Sequence, residues 1–440
     1  MPTFTLHMFC RKNKAVHNVA IRNMSFVSKF LIEPFSPLKD RNFSIYITGQ
    51  TVSQIGTFMQ TTAQAWLIWE LTHDARMVSL ATALGFLPLF FLSPFTGALA
   101  DRWDRRKLLI GTQIAAMTLA LTLAFLVQRG LADATIVLFL SLALGVVNTF
   151  DFPTQSAFIG DMTGMGAIRK AVALNTSMFQ VGRSVGPALA GILIALFGSA
   201  FVFLLNGLSY IVVIACLLVI TTTQVRRPHS GTPLNDFAEA VRYARTESRI
   251  VDLIMAAILL TLFVFGTFSI FAPLADTVLN GGPETLGLIQ SASGLGALVS
   301  ALLLAPQFAN VKRVGVVICG ALIFAGFWLM MTLFSTWTPY VQFTIFMASL
   351  TLPVVLAGTS GLIQTLSPPH MRARMISLFQ MTTFGAQPLG ALFAGFMGSL
   401  VGPLYAIVLN GGLMAILATL LIGLRHDFRV WVVTKPEIPK

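Results

Sequence analysis

"GALADRWDRRKLLI", residues 97–110, packs six charges into the seven residues Asp101 to Lys107, with long apolar runs on both sides. The rest of the chain makes that cluster exceptional. Only 10% of the 440 residues are charged, 55% are hydrophobic and the mean hydropathy is +0.80. Soluble domains carry about 25% charged residues. A helix crosses the hydrocarbon core of a bilayer in about 20 residues, and apolar runs of that length recur along the chain. Lipid offers no partner to backbone polar groups, so such runs must be helices. The charged stretch therefore reads as a short loop joining two membrane spans.

Twelve spans are predicted: 44–69, 76–100, 108–128, 134–157, 168–197, 200–221, 250–274, 285–306, 314–334, 338–363, 375–400 and 402–424. The junctions 198–200 and 400–402 are very tight, and each contains Gly. The fold class is thus all-α and polytopic. Lys and Arg mark the cytoplasmic side of membrane proteins. With twelve alternating spans, 26 of the 29 basic residues fall on the side that holds both termini. The opposite side holds Arg76 and Arg129, and Arg183 lies inside a span. Both termini are therefore expected in the cytoplasm. The net charge of +12 is accounted for by this topology, with some attraction to anionic lipid, and calls for no nucleic acid.

Residues 1–40 read as a cytoplasmic tail, with a short surface helix expected at 24–33 and Met24 as an alternative start. Residues 41–221 form a first six-helix half. Residues 222–249 form a cytoplasmic linker that begins with Pro228, Gly231 and Pro233. The linker then becomes an amphipathic helix with Phe237, Val241 and Ala244 on one face, a pattern expected to lie on the membrane surface. Residues 250–424 form the second half and 425–440 a cytoplasmic tail. The halves echo each other. "SMFQVGRSVGPALAG" starts at Ser177 and "SLFQMTTFGAQPLGA" at Ser377, and "LLNGLSY" around Asn206 answers "VLNGGLM" around Asn410. A repeat of six-span halves points to a transporter whose path lies between them.

The loop 97–107 resembles the signature of the major facilitator superfamily, Gly-x-x-x-Asp-Arg/Lys-x-Gly-Arg-Arg/Lys. Gly97, Asp101, Arg102, Arg105 and Arg106 match, whereas Asp104 stands where the pattern has Gly. The resemblance covers residues 40–425. It implies a cytoplasmic latch in which Asp101 meets the start of span 11. The helix dipole and the nearby Arg372 and Arg374 make that end positive. In span 5, "GRSVGPALAG" (182–191) resembles the superfamily's antiporter motif through Gly182, Gly186, Pro187 and Gly191, with Ala190 in place of a Gly. The same small residues would also serve plain helix packing. The motif is associated with exporters, so export is expected over import or a lipid or metabolite permease role. "VNTFDFPTQSAF" (147–158) and the sequence after it resemble the drug and siderophore exporter branch that includes the bacterial enterobactin exporter. That branch implies a bacterial inner-membrane protein exporting a hydrophobic or amphiphilic small molecule. It is expected to be a monomer without cofactor, driven by the proton gradient.

Other chemistries find little support. "GTSG" (358–361) has the shape of an intramembrane serine-protease motif, but all six histidines fall outside the predicted spans, so no base serves Ser360. No His/Cys/acid grouping has metal-ligand spacing, and no phosphate-binding Gly-Lys-Ser/Thr loop is present. Cys10, Cys216 and Cys319 suggest no disulfide framework. Nothing resembles a channel's selectivity filter. Two features inside the spans stand out. Gln50, Gln54 and Gln64 share a face of span 1 and are expected either to line a cavity or to bond between helices. Asp151 in span 4 and Arg183 in span 5 are the charges well inside the spans. They are expected to meet, either as a fixed ion pair or as a proton-coupling site.

Overall fold

The computed structural model describes residues 33–221, 233–308, 313–369, 371–425 and 428; within these, the side chains of 33–35, 93–95, 97–102, 164–166, 169, 233–236, 306, 308 and 373 fall outside the described set. The expected surface helix at 24–33 lies almost wholly outside the described residues.

Among the described residues, twelve long helical segments are present. Spans 1 to 6 are Arg41–Thr72, Ala75–Arg102, Arg105–Gln128, Ala134–Thr163, Lys170–Phe197 and Ser199–Val219. Spans 7 to 12 are Ser248–Phe268, Pro283–Leu304, Val314–Phe334, Thr338–Leu366, Arg374–Val401 and Pro403–Leu424. Eleven of them are long and apolar enough to cross a membrane. The other, span 1, has 32 residues, and its four glutamines and its threonines make it polar for its length. Aspartates start three of the spans: Asp40, Asp104 and Asp133 accept from the backbone N–H of Phe43, Lys107 and Ile136. The tight junctions turn on Gly198 and Gly402 at φ of 80° and 88°, a backbone region where a side chain would be strained.

The predicted break between spans 4 and 5 is not an open loop, because the backbone stays helical from Ala134 to Phe197. The chain nevertheless reverses there. Gln50 bonds Gln155 and Gln64 bonds Ser141, which makes span 4 antiparallel to span 1. Gly182 and Gly186 lie against Gln54 and Phe58, which makes span 5 parallel to it. Span 1 thus packs against both. The two halves repeat a device at matched places. Asn206 of span 6 donates to Gln60 of span 1 (2.6 Å), and Asn410 of span 12 donates to Thr267 of span 7 (3.0 Å).

The halves meet along two antiparallel seams, span 5 with span 8 and span 2 with span 11. On the first, Gly191 faces Pro283 and Gly294 faces Arg183; on the second, Gly398 faces Ala75 and Gly385 faces Phe90. Ser79 donates to Ser269 (2.9 Å), Thr62 to Gln290 (2.5 Å) and Trp69 to Asp276 (3.0 Å). These contacts concentrate at the end remote from the basic loops, so the molecule is closed there. Span 7 is irregular. A π-helical turn occupies Thr261–Phe265, and the helix stops at Ser269 before short helical turns over 271–278.

The linker helix, Pro233–Thr246, differs from expectation. Ala240 and Ala244 are buried, and Phe237, Val241 and Tyr243 pack on the core. Tyr243 donates to the Leu366 carbonyl (3.0 Å), and Glu239 pairs with Arg374 at 2.5 Å. The helix contacts span 2 of one half and spans 7 and 11 of the other. Its apolar face is covered by protein, not by lipid.

Candidate functional site

Asp151 sits in the first half with its side chain buried, at 6% exposure. Its partners are all neutral. Thr112 and Gln113 of span 3 donate to Oδ1 at 2.7 and 3.0 Å, and Gln155, one turn further along span 4, donates to Oδ2. Gln155 in turn accepts from Gln50 of span 1 (3.1 Å). Three spans therefore converge on one carboxyl group, and among the described residues no basic side chain lies within 4.0 Å of it. Three donors satisfy the carboxyl oxygens, and among the described residues no counter-ion does.

The expected meeting of Asp151 with Arg183 does not occur. The two spans are consecutive, but span 1 packs between them at this depth, and Asp151 turns towards span 3. Arg183 turns the other way, across the seam between the halves. Its guanidinium donates to Ser293 Oγ of span 8 at 3.5 Å and lies 5.2 and 5.0 Å from the ring centres of Phe265 and Phe268 of span 7.

The antiporter-type motif is a two-sided packing surface. Gly182 and Gly186 bring span 5 onto span 1, and a Cβ at Gly186 would lie 2.9 Å from the Ile55 carbonyl oxygen. Pro187 and Gly191 face span 8, where a Cβ at Gly191 would lie 2.6 Å from the Pro283 carbonyl oxygen. The motif thus lets one helix approach both its own half and the other.

The charged loop divides into roles. Gly97, Asp101 and Arg102 lie in the last turns of span 2, with side chains outside the described residues. Asp104 caps span 3, which explains an aspartate where the signature has glycine. Arg105 forms a buried pair with Asp161 of span 4, at 2.8 and 2.9 Å from its two oxygens. Arg106 donates to the Leu217 and Leu218 carbonyls, both at 2.6 Å, and so closes the end of span 6. The glutamines of span 1 divide too. Gln50, Gln60 and Gln64 bond to neighbouring helices, whereas Gln54 makes no side-chain hydrogen bond among the described residues and stays half-buried beside Gly182.

Several residues of these clusters escape sequence reading. Gln155 was within reach, four residues after Asp151 on the same helical face. Thr112, Gln113, Asp161, Phe265, Phe268 and Ser293 come from other helices, and no local pattern marks them. Among the described residues, no three His, Cys, Asp or Glu side chains gather as a metal site.

The family model described as "transmembrane secretion effector" matches residues 32–437, nearly the whole bundle. The chain belongs to that family. It is a multi-pass membrane transporter of the major facilitator superfamily, takes a small-molecule substrate, and is not an enzyme. Macrolide efflux protein A of Streptococcus pyogenes is 25% identical over 404 residues, covering 88% of this chain and 96% of the relative. The staphyloferrin A transporter of Staphylococcus aureus is 21% identical over 261 residues, covering 58% of this chain and 63% of the relative. Among solved structures, a bacterial homologue of the human lysosomal transporter Spinster superposes with a TM-score of 0.68. That match is 14% identical and covers 91% of this chain and 99% of the other, a likeness of fold. The family's efflux relatives agree with the exporter resemblance of residues 147–191.

Proposed function

We propose that the protein exports a small hydrophobic or amphiphilic molecule from the cytoplasm by proton antiport with alternating access. In this reading it sits as a monomer in a bacterial inner membrane with both termini inside. The contacts at the end remote from the basic loops then correspond to an inward-facing or occluded state. Asp101, Arg102, Arg105 and Arg106 guard the cytoplasmic end, and Asp151 takes up and releases the coupling proton. The observation that carries this is the Asp151 cage: a buried carboxyl group with three neutral donors and, among the described residues, no cation. Taking up a proton there removes a charge from the interior of the first half and changes what Gln155, Thr112 and Gln113 must do. Span 1, tied to the cage through Gln50, carries that change to span 5 through Gln54 and Gly182. The relatives whose names specify efflux support the direction.

The test uses purified protein in liposomes, with a substrate first found by screening a deletion strain against toxic compounds and secreted siderophores. Asp151→Asn is expected to lose uphill export driven by a pH gradient while retaining substrate binding and exchange down a gradient. Uphill export by that variant at the wild-type rate sinks Asp151 as the coupling group. Loss of the protein from the membrane would assign the cage a structural role.

A further inference from the structure

Arg183 is a cation in the middle of the membrane that has no counter-ion among the described residues. It lies thirteen residues from either end of span 5 as Lys170–Phe197 is bounded, give or take one, so about 20 Å of helix separates it from each surface. Among the described residues no carboxylate comes within 4.0 Å of it. Its single side-chain hydrogen bond among the described residues, to Ser293, is long at 3.5 Å, and the Ser293 hydroxyl also accepts from Ser349 at 2.9 Å. The guanidinium carries five N–H donors in a flat fork, so most of them are unspent.

The surroundings are aromatic. The centres of Phe265 and Phe268 lie 5.3 Å apart and 5.2 and 5.0 Å from the guanidinium carbon, a nearly equilateral triangle. Both rings therefore stand to one side of the cation, and Arg183 is only partly exposed. Two independent features mark the place. Span 7 widens into a π-helical turn over Thr261–Phe265, just where it presents Phe265. All three partners of Arg183 belong to the second half, so the cation lies on the surface along which the halves must separate. An isolated charge at that depth is costly, and rings alone compensate it only in part.

The geometry points to Arg183, Phe265 and Phe268 as the substrate-recognition site for an organic anion. The ligand is a carboxylate-bearing amphiphile with a flat aromatic or similarly apolar body. The fork matches the two oxygens of a carboxylate, and the rings receive the body. Gln290 lies one turn before Ser293 on span 8, and Gln54, whose side chain makes no hydrogen bond among the described residues, belongs to the stretch of span 1 against Gly182. This assignment rests on the export reading and specifies its substrate class.

The test measures binding to the full chain in lipid nanodiscs by equilibrium dialysis, with empty nanodiscs subtracted. The probes are 4-(1-pyrenyl)butanoate, the corresponding alcohol and the corresponding amine. The wild type is expected to bind the carboxylate about tenfold or more tightly than either analogue. Arg183→Gln should erase that preference, and Arg183→Lys should keep part of it. The comparison of three probes on the wild type needs no variant to fold. Equal or tighter binding of the alcohol or the amine overturns the assignment, as does unchanged carboxylate affinity in a folded Arg183→Gln protein. Binding of none of the three overturns it as well. The export reading falls only if the deletion-strain panel also shows no exported compound.

Discussion

At the scale of single residues, charges with similar surroundings do different work. Arg105 and Asp161 form a closed pair near the basic end, whereas, among the described residues, Asp151 has donors but no cation and Arg183 has rings but no anion. Breaking a buried pair leaves the remaining charge stranded, at a cost of about 3 kcal/mol or more. Arg105→Ala and Asp161→Ala are each expected to lower the thermal unfolding temperature by several degrees in detergent. The double variant should lose clearly less than the sum, as a double-mutant cycle would read out. Strict additivity would mean that the pair contributes nothing. Asp101 belongs to the same loop, and its proposed task is conformational. Asp101→Asn should leave normal amounts of protein in the membrane and reduce transport strongly. Near-normal transport would leave the loop as a topology anchor only.

At the scale of elements, span 5 is the pivot. Its small residues face span 1 on one side and span 8 on the other, and the closed outer end depends on both contacts. Gly191→Val places a branched side chain where even a Cβ would be 2.6 Å from a carbonyl oxygen. Overpacking of this kind costs about 1–3 kcal/mol, enough to shift the balance of open and closed forms roughly tenfold or more. A cysteine at Thr62, beside the seam, should become correspondingly more reactive towards an impermeant thiol reagent in Gly191→Val, and export should fall. Unchanged reactivity would show that the seam does not seal the outer end. The linker helix makes a second case. If its apolar face packs on protein, Ala240→Glu buries a charge at a position that is 1% exposed and should lower thermal stability markedly. A helix lying free on the membrane surface would contribute nothing to the stability of the bundle, so the same change would leave thermal unfolding unaltered.

At the scale of the whole molecule, two repeats of six helices close at one end around a path that must open at the other. Orientation rests on the asymmetry of Lys and Arg. With the native cysteines replaced, Ser230→Cys should resist an impermeant thiol reagent in whole cells, and Ser335→Cys should react. The opposite pattern would invert the molecule. The same inversion would turn the closed end described here into the cytoplasmic one.

The membrane class and the helical spans were readable from the sequence alone, and the proposed sidedness rests on the sequence too. They depend on quantities that add up along the chain: apolar length against bilayer thickness, and the count of basic residues on each side. The charged loop, the antiporter-type motif and the paired Asn206 and Asn410 were readable as local patterns, although which helices they touch was not. Only the tertiary structure decided how Asp151, Arg183 and the glutamines of span 1 are used. Periodicity places a side chain on a face of its own helix and leaves open which helix covers that face. Consecutive helices suggested that Asp151 and Arg183 meet; span 1 packs between them, so each charge turned to a different neighbour. The linker helix shows the same limit. An amphipathic pattern states that one face must leave water, and only packing decides whether lipid or protein receives it.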